Sequence, residues 1–195
     1  MKVFLIAMLA LAWTLGQPVQ AQAPLKIKPL VEKKVSALPP GTLYWRVENV
    51  GSLPAAQAAA GEFGLATESA GKVWLFTLGE RGGSTGAGTK VTEVGPIPRF
   101  EAAQYLLRIN EATGAPGSIT PVHSHPGSEA FYVLAGEQSI RGAHGTMKVR
   151  VGQPEAGHGA DMAMQVSSSG TVDLHSLVMF VVDANRPFST PGKLD

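Results

Sequence analysis

Two histidines and a glutamate stand close together in the segment Gly117-Ser-Ile-Thr-Pro-Val-His123-Ser-His125-Pro-Gly-Ser-Glu129-Ala-Phe-Tyr-Val-Leu-Ala-Gly136. On a strand, alternate side chains share a face, so His123 and His125 project together. Pro126-Gly127 supplies a turn. Glu129 then opens the next antiparallel strand, where it is expected to face the two imidazoles across the pair. Two imidazoles and one carboxylate make a facial set suited to Fe(II), Mn(II), Zn(II), Ni(II) or Cu(II). Phe131 and Val133 share the parity of Glu129 and are expected to line the cavity beyond it. A His-x-His pair alone occurs in any loop; the weight lies in the joint spacing G-x5-H-x-H-x3-E-x6-G, formed by Gly117, His123, His125, Glu129 and Gly136. His144 falls in a turn composition and is expected to be exposed. His175 alternates with Asp173 and Leu177 on an apolar strand and is expected to be packed or hydrogen-bonded.

The elements that must position these residues read as strands. Short apolar runs separated by turn residues cover 42–50, 72–78, 89–94, 101–109, 117–122, 129–134, 138–141, 146–151, 163–166 and 171–182. Only Leu53–Ala60 looks helical. The Gly-rich stretch Gly79–Lys90 superficially resembles a phosphate-binding loop, but it ends Gly88-Thr89-Lys90 where that loop requires G-K-[ST], and no long helix follows. It reads as a flexible hairpin or surface loop. No internal repeat and no boundary between two cores is evident.

With 195 residues, 44% hydrophobic, 23 Gly and 14 Pro, the chain suits one turn-rich all-β domain better than a helical bundle. A formal net charge of +1 leaves no strong basic face for a phosphate backbone, so nucleic acid is not an expected partner. The absence of cysteine removes thiolate catalysis and Cys-bound zinc or iron–sulfur clusters. Lys2, the 13-residue apolar run Val3–Leu15 and the small residues after it describe a secretory signal peptide over 1–21, cut before Gln22 or Pro24. A bilayer span needs about 20 apolar residues, so no stable span is expected once it is removed. The expected location is therefore periplasmic or secreted. Residues 22–41 read as an extended N-terminal arm, 42–188 as the β domain and 189–195 as a C-terminal tail. An arm of this kind packs on its own domain or on a neighbouring subunit, which leaves a homodimer open.

The segment Gly117–Gly136 resembles the first characteristic motif of the cupin superfamily at each of its five defining positions. The resemblance implies an antiparallel jelly-roll (cupin) barrel of six to eight strands, with a divalent transition metal inside held by His123, His125 and Glu129. The second cupin motif, G-x5-P-x-G-x2-H-x3-N, normally supplies a fourth ligand. Starting from Gly152 it places Ala163 at that histidine, and an alternative alignment places Met164 there. Three repairs stay open: His158 reaching in from the preceding loop, Gln165 supplying an amide oxygen, or a three-ligand site completed by water or substrate. Met162 and Met164 are expected to line the pocket. Two functions follow as expectations. One is a metal-dependent enzyme of dioxygenase or isomerase type, acting on a small, largely apolar substrate; the other is a non-catalytic metal- or small-ligand-binding module.

Overall fold

A computed structural model describes residues 22–194, so the expected signal peptide lies outside the described residues. Three antiparallel sheets are stacked in layers. The central sheet has the order β1 (Lys26–Val35), β6 (Tyr105–Gly114), β13 (Leu174–Asp183), β8 (Gly127–Ala135), β11 (Pro154–Ala156). Facing one side of it is the sheet β10 (Gly145–Arg150), β9 (Glu137–Gly142), β12 (Met164–Ser168), β7 (His123–Ser124), β14 (Thr190–Pro191). On the other side lies β3 (Gly64–Ser69), β4 (Lys72–Gly79), β2 (Leu43–Val50), β5 (Gly88–Ile97). The all-β character expected from the turn spacing is present; where the resemblance implies a jelly-roll barrel, facing five-stranded sheets form a sandwich.

The single core expected from the sequence is divided in two by the central sheet. Strand β13 explains why. Its residues Leu177, Met179 and Val181 join Trp45, Trp74 and Phe76 in one cluster, while Val178, Phe180 and Val182 join Phe131, Ile140 and Val166 in the other. A strand covered on both faces reads as a continuous apolar run, which is the pattern of Leu177–Val182. Alternation, the usual sign of a half-buried strand, is lost there, and with it the sign that two layers flank the sheet.

Both chain ends belong to sheets. Residues 26–35 of the N-terminal arm pair with β6 as an edge strand of the central sheet. Thr190–Pro191 of the C-terminal tail pair with Ser124 and His123. Helix α1 (Leu53–Ala59) starts where Ser52 caps the backbone N–H of Ala55 and a proline occupies the first turn. It lays Ala56 against Val50 and Leu75 on the outer face of its sheet.

The Gly-rich loop after β4 is tied down, contrary to the expectation of a flexible hairpin. Glu48, fully buried on β2, accepts from the Thr85 N–H at 3.2 Å, the Thr85 hydroxyl at 3.0 Å and the Ser84 hydroxyl at 3.4 Å, and pairs with Arg46 at 3.3 Å. Glu48→Ala would leave the buried Arg46 charge without its partner, at a cost of about 3 kcal/mol or more. Urea denaturation should register that loss, and trypsin should then cut faster after the exposed Arg81, because the freed loop fits the protease more readily.

Candidate metal centre

The turn at Pro126 does more than reverse the chain. It carries the backbone from β7 in the outer sheet to β8 in the central sheet, so Glu129 meets the histidines across the sandwich and not across a strand pair as the spacing suggested. His123 and His125 do share a face: their ring centroids are 5.0 Å apart at an interplanar angle of 85°. The Nε2 of His125 stands 4.0 Å from Oε2 of Glu129.

Each imidazole is oriented by a backbone carbonyl. His123 Nδ1 lies 2.8 Å from the Pro121 carbonyl and His125 Nδ1 lies 2.6 Å from the Phe188 carbonyl. A carbonyl only accepts, so Nδ1 carries the proton in both rings and each Nε2 keeps a free lone pair. That is the tautomer a metal ligand needs, held by the kind of partner that fixes such ligands. Burial, with smaller contributions from the charges of His123 and Arg108, pushes the pKa of His125 down to about 4, so its ring stays neutral. Burial also pushes the Glu129 carboxyl up to about 8. Its Oε1 is enclosed and has no hydrogen-bond partner among the described residues. A buried carboxylate with an orphaned oxygen beside two imidazoles oriented by backbone carbonyls fits a divalent cation chemically. The three side chains are not drawn together as a closed cage; among the described residues no such group of three is close enough to hold an ion as it stands. The 4.0 Å gap is less than twice a ligand distance of about 2.1 Å, so His125 and Glu129 are already within reach of one ion.

These residues lie at one end of a cavity of about 400 Å³ between the facing sheets. Its floor comes from the central sheet: Asn110, Glu129, Phe131, Val178 and Phe180. Thr120, Val122 and Val166 line the opposite side, and Ile27 of β1 with Phe188–Pro191 of the C-terminal segment complete the wall. Most of this lining is apolar, as in small-molecule sites generally.

Other expected site residues fall elsewhere. Val133 is two residues deeper than Phe131 and is enclosed in the core. Met164 stands directly opposite His123 across the β12–β7 pair but is enclosed in the core, and Met162 lies half-buried in the turn before β12. None of these three lines the cavity. Nor does His158. Its carbonyl accepts from the Glu129 N–H, yet its ring lies against Gly142 on the outer sheet. Gln165 turns outward to bond Arg141 and the Thr120 carbonyl. His144 is exposed, and His175 bonds Glu111 at 2.8 Å with Ser69 beside it. Sequence reasoning missed Asn110, Phe188 and Ile27, although Asn110 was visible as a polar residue inside the apolar run Tyr105–Ile109 and its continuation.

Gly157 also belongs to the site. A Cβ there would come within 2.5 Å of the Phe131 ring and 3.2 Å of Glu129 Cγ. The loop 157–161 therefore packs on the backs of two cavity residues only because this position has no side chain.

No protein-family model and no curated protein matches the sequence. Solved structures show a partial likeness. A cupin-like protein from Thermotoga maritima is 13% identical with a TM-score of 0.40, covering 45% of this chain and 65% of that one, just under two thirds of its length. A protein with a double-stranded β-helix domain from Klebsiella pneumoniae is 19% identical with a TM-score of 0.38, covering 45% and 71%. A DMSP lyase from Ruegeria pomeroyi is 17% identical with a TM-score of 0.37, covering 44% and 42%. Likeness at these identities and TM-scores is partial. The five motif positions from Gly117 to Gly136 lie on and beside β7 and β8 of the all-β sandwich. No helix of the described residues is long and apolar enough to cross a membrane.

Proposed function

We propose that this protein binds a divalent transition-metal ion through His123, His125 and Glu129, at the end of an apolar cavity that takes a small, largely apolar molecule. The observation that carries this reading is the pair of Nδ1-to-carbonyl bonds, which leave both Nε2 lone pairs free beside a buried carboxylate oxygen with no partner. Such a metal, when bound, supplies a Lewis acid with open positions for a substrate oxygen or for O2. The chain's own residues do the rest. The Pro121 and Phe188 carbonyls hold the imidazole tautomers, the apolar floor excludes water, and the buried Glu129 carboxyl is placed to hold a proton at the cavity while no metal is bound. We favour an enzyme of oxygenase or isomerase type. The non-catalytic binder is kept as a second reading, because the three donors are not closed into a cage. The same reading places the mature chain in the periplasm or outside the cell.

Elemental analysis of protein from its native compartment tests this. His123→Ala and His125→Ala should each lower metal occupancy by well over tenfold, since loss of an outer partner alone typically costs about 10- to 100-fold. His158→Ala and His144→Ala should leave it unchanged. Full occupancy in His125→Ala would refute the assignment. O2 consumption or turnover with the metal found supports the enzyme; tightly held metal without turnover supports the binder.

A further inference from the structure

Asn110 is 2% exposed, yet it lines the cavity. Its Oδ1 accepts from Arg108 Nε at 2.9 Å. A guanidinium only donates, so this contact fixes which way the amide points: oxygen to Arg108, NH2 away from it. Arg108 is itself held, by Glu32 at 3.4 Å and by the Phe188 ring 4.2 Å from its guanidinium carbon. The NH2 group makes no hydrogen bond to any described residue. The Nδ2 atom is not sealed in the core; it opens onto the cavity as an oriented donor, available to an acceptor there.

Strand register sets where that something would lie. Glu129, Phe180 and Arg108 form one row across β8, β13 and β6; Phe131, Val178 and Asn110 form the next row on the same face. Asn110 is thus two strands and one row from Glu129, about 12 Å between Cα positions at ordinary sheet spacings. Both side chains rise from the same face, so taking about 3 Å for a hydrogen bond at Asn110 and about 3.5 Å for contact at the other end leaves room for about one six-membered ring over an apolar floor.

Resting on the reading of the cavity as a small-molecule site, we infer that Asn110 is its specificity residue. Its Nδ2 donates to an acceptor oxygen, carbonyl or carboxylate, at one end of a flat, largely apolar ligand whose other end lies against His125 and Glu129. The structure thereby narrows the ligand class to small aromatic or comparably flat molecules carrying such an oxygen. A purely apolar ligand of the same shape would bury the amide unpaired and bind less well.

Three probes of matched size test this by calorimetry: acetophenone (carbonyl), benzoate (carboxylate) and cumene (neither). Native protein should bind at least one acceptor-bearing probe about three- to tenfold more tightly than cumene, and the probe preferred says which oxygen the site is built for. In ¹⁵N spectra the Asn110 side-chain amide should shift with that probe. Asn110→Leu and Asn110→Asp should both abolish the preference. The Asp variant keeps an acceptor for Arg108 and loses the donor; because its added charge repels benzoate, the neutral pair acetophenone and cumene is read in it, and the uncharged Asn110→Leu is read with all three, whereas a merely structural Asn110 would leave selectivity intact. Equal binding of all three probes, no binding of either acceptor-bearing probe at millimolar concentration, or a preference that survives in Asn110→Asp overturns the proposal. The same titrations on native protein before and after chelation, with its metal content measured, separate it from the metal reading. The preference should persist after chelation, so native protein that holds no metal but shows the preference refutes only the metal, and native protein that holds metal but shows no preference refutes only Asn110.

Discussion

Replacing Glu129 by glutamine is expected to strip the protein of its metal and, in the metal-free state, to make the chain more stable. Both effects come from one fact, a carboxyl group that is 3% exposed with an oxygen lacking any partner. Burial lifts its pKa from 4.5 to about 8. At pH 8 the unfolded chain gains the full hydration of an ionised carboxylate, and the folded chain has to keep a proton or bury the charge. That difference is worth roughly 3–5 kcal/mol. Glutamine has almost the same shape and no charge, and its NH2 can turn toward the free Nε2 of His125. After chelation, Glu129→Gln should melt on the order of 10 °C above the wild type at pH 8, since 1 kcal/mol moves a domain of this size by about 2–4 °C. An ordinary core glutamate that served packing would show the opposite sign. Destabilisation of the chelated protein by this substitution would therefore remove Glu129 from the functional site. A residue retained against stability is what a binding site predicts.

How much of this was legible in the residues divides along physical lines. The His123–His125 pair was, because strand parity is local and needs only that the segment be extended. So were helix α1 and most strands of the facing sheets. What failed was everything that depends on which sheet a strand joins. The spacing from His125 to Glu129 fits a hairpin as well as a crossing between sheets, and Pro126-Gly127 serves both. Strand β1 carries Lys26, Lys28, Lys33 and Lys34, as suits an edge strand, where charge is usual; the lysines, the prolines and the lack of a period made it read as an extended arm, without showing which sheet it joins. The C-terminal Phe188 enters the site through its backbone carbonyl and its ring, bonding His125 through the first and stacking on it, at 4.8 Å between centroids, with the second. No local signal announces a contact 63 residues away. The Met162–Met164 expectation failed for a related reason. Parity said which face a residue takes, whereas depth along the sandwich decides whether it meets the core or the cavity.

Depth of burial also sets the pH response of the metal-free protein, and the sign can be worked out group by group. Above the unfolded histidine value of about 6.5, the unfolded chain holds no proton on His125 or Glu129, whereas the native chain still holds one on Glu129. The native state then binds more protons, so stability falls as pH rises, by about 2 kcal/mol between pH 6.5 and 8, and levels off beyond the folded value. Between about 4.5 and 6.5 the unfolded chain carries the histidine proton and the native chain the glutamate proton, and these two contributions cancel. His158, also held below the ordinary imidazole value by burial and by His144, adds a loss as pH falls below about 6.5. Chelated wild-type protein should thus be most stable near pH 6. Its alkaline decline should vanish in Glu129→Gln. In His125→Ala the balancing histidine is gone, so the Glu129 penalty should instead begin near pH 4.5. Metal reverses the picture: binding displaces the Glu129 proton, so affinity should climb with pH up to about 8. Denaturant midpoints of the three proteins across pH 5 to 9, with and without metal, test all of this at once. An alkaline decline that persists unchanged in Glu129→Gln would mean that this carboxyl is already ionised and paired in the native fold, and that the site is built on other groups.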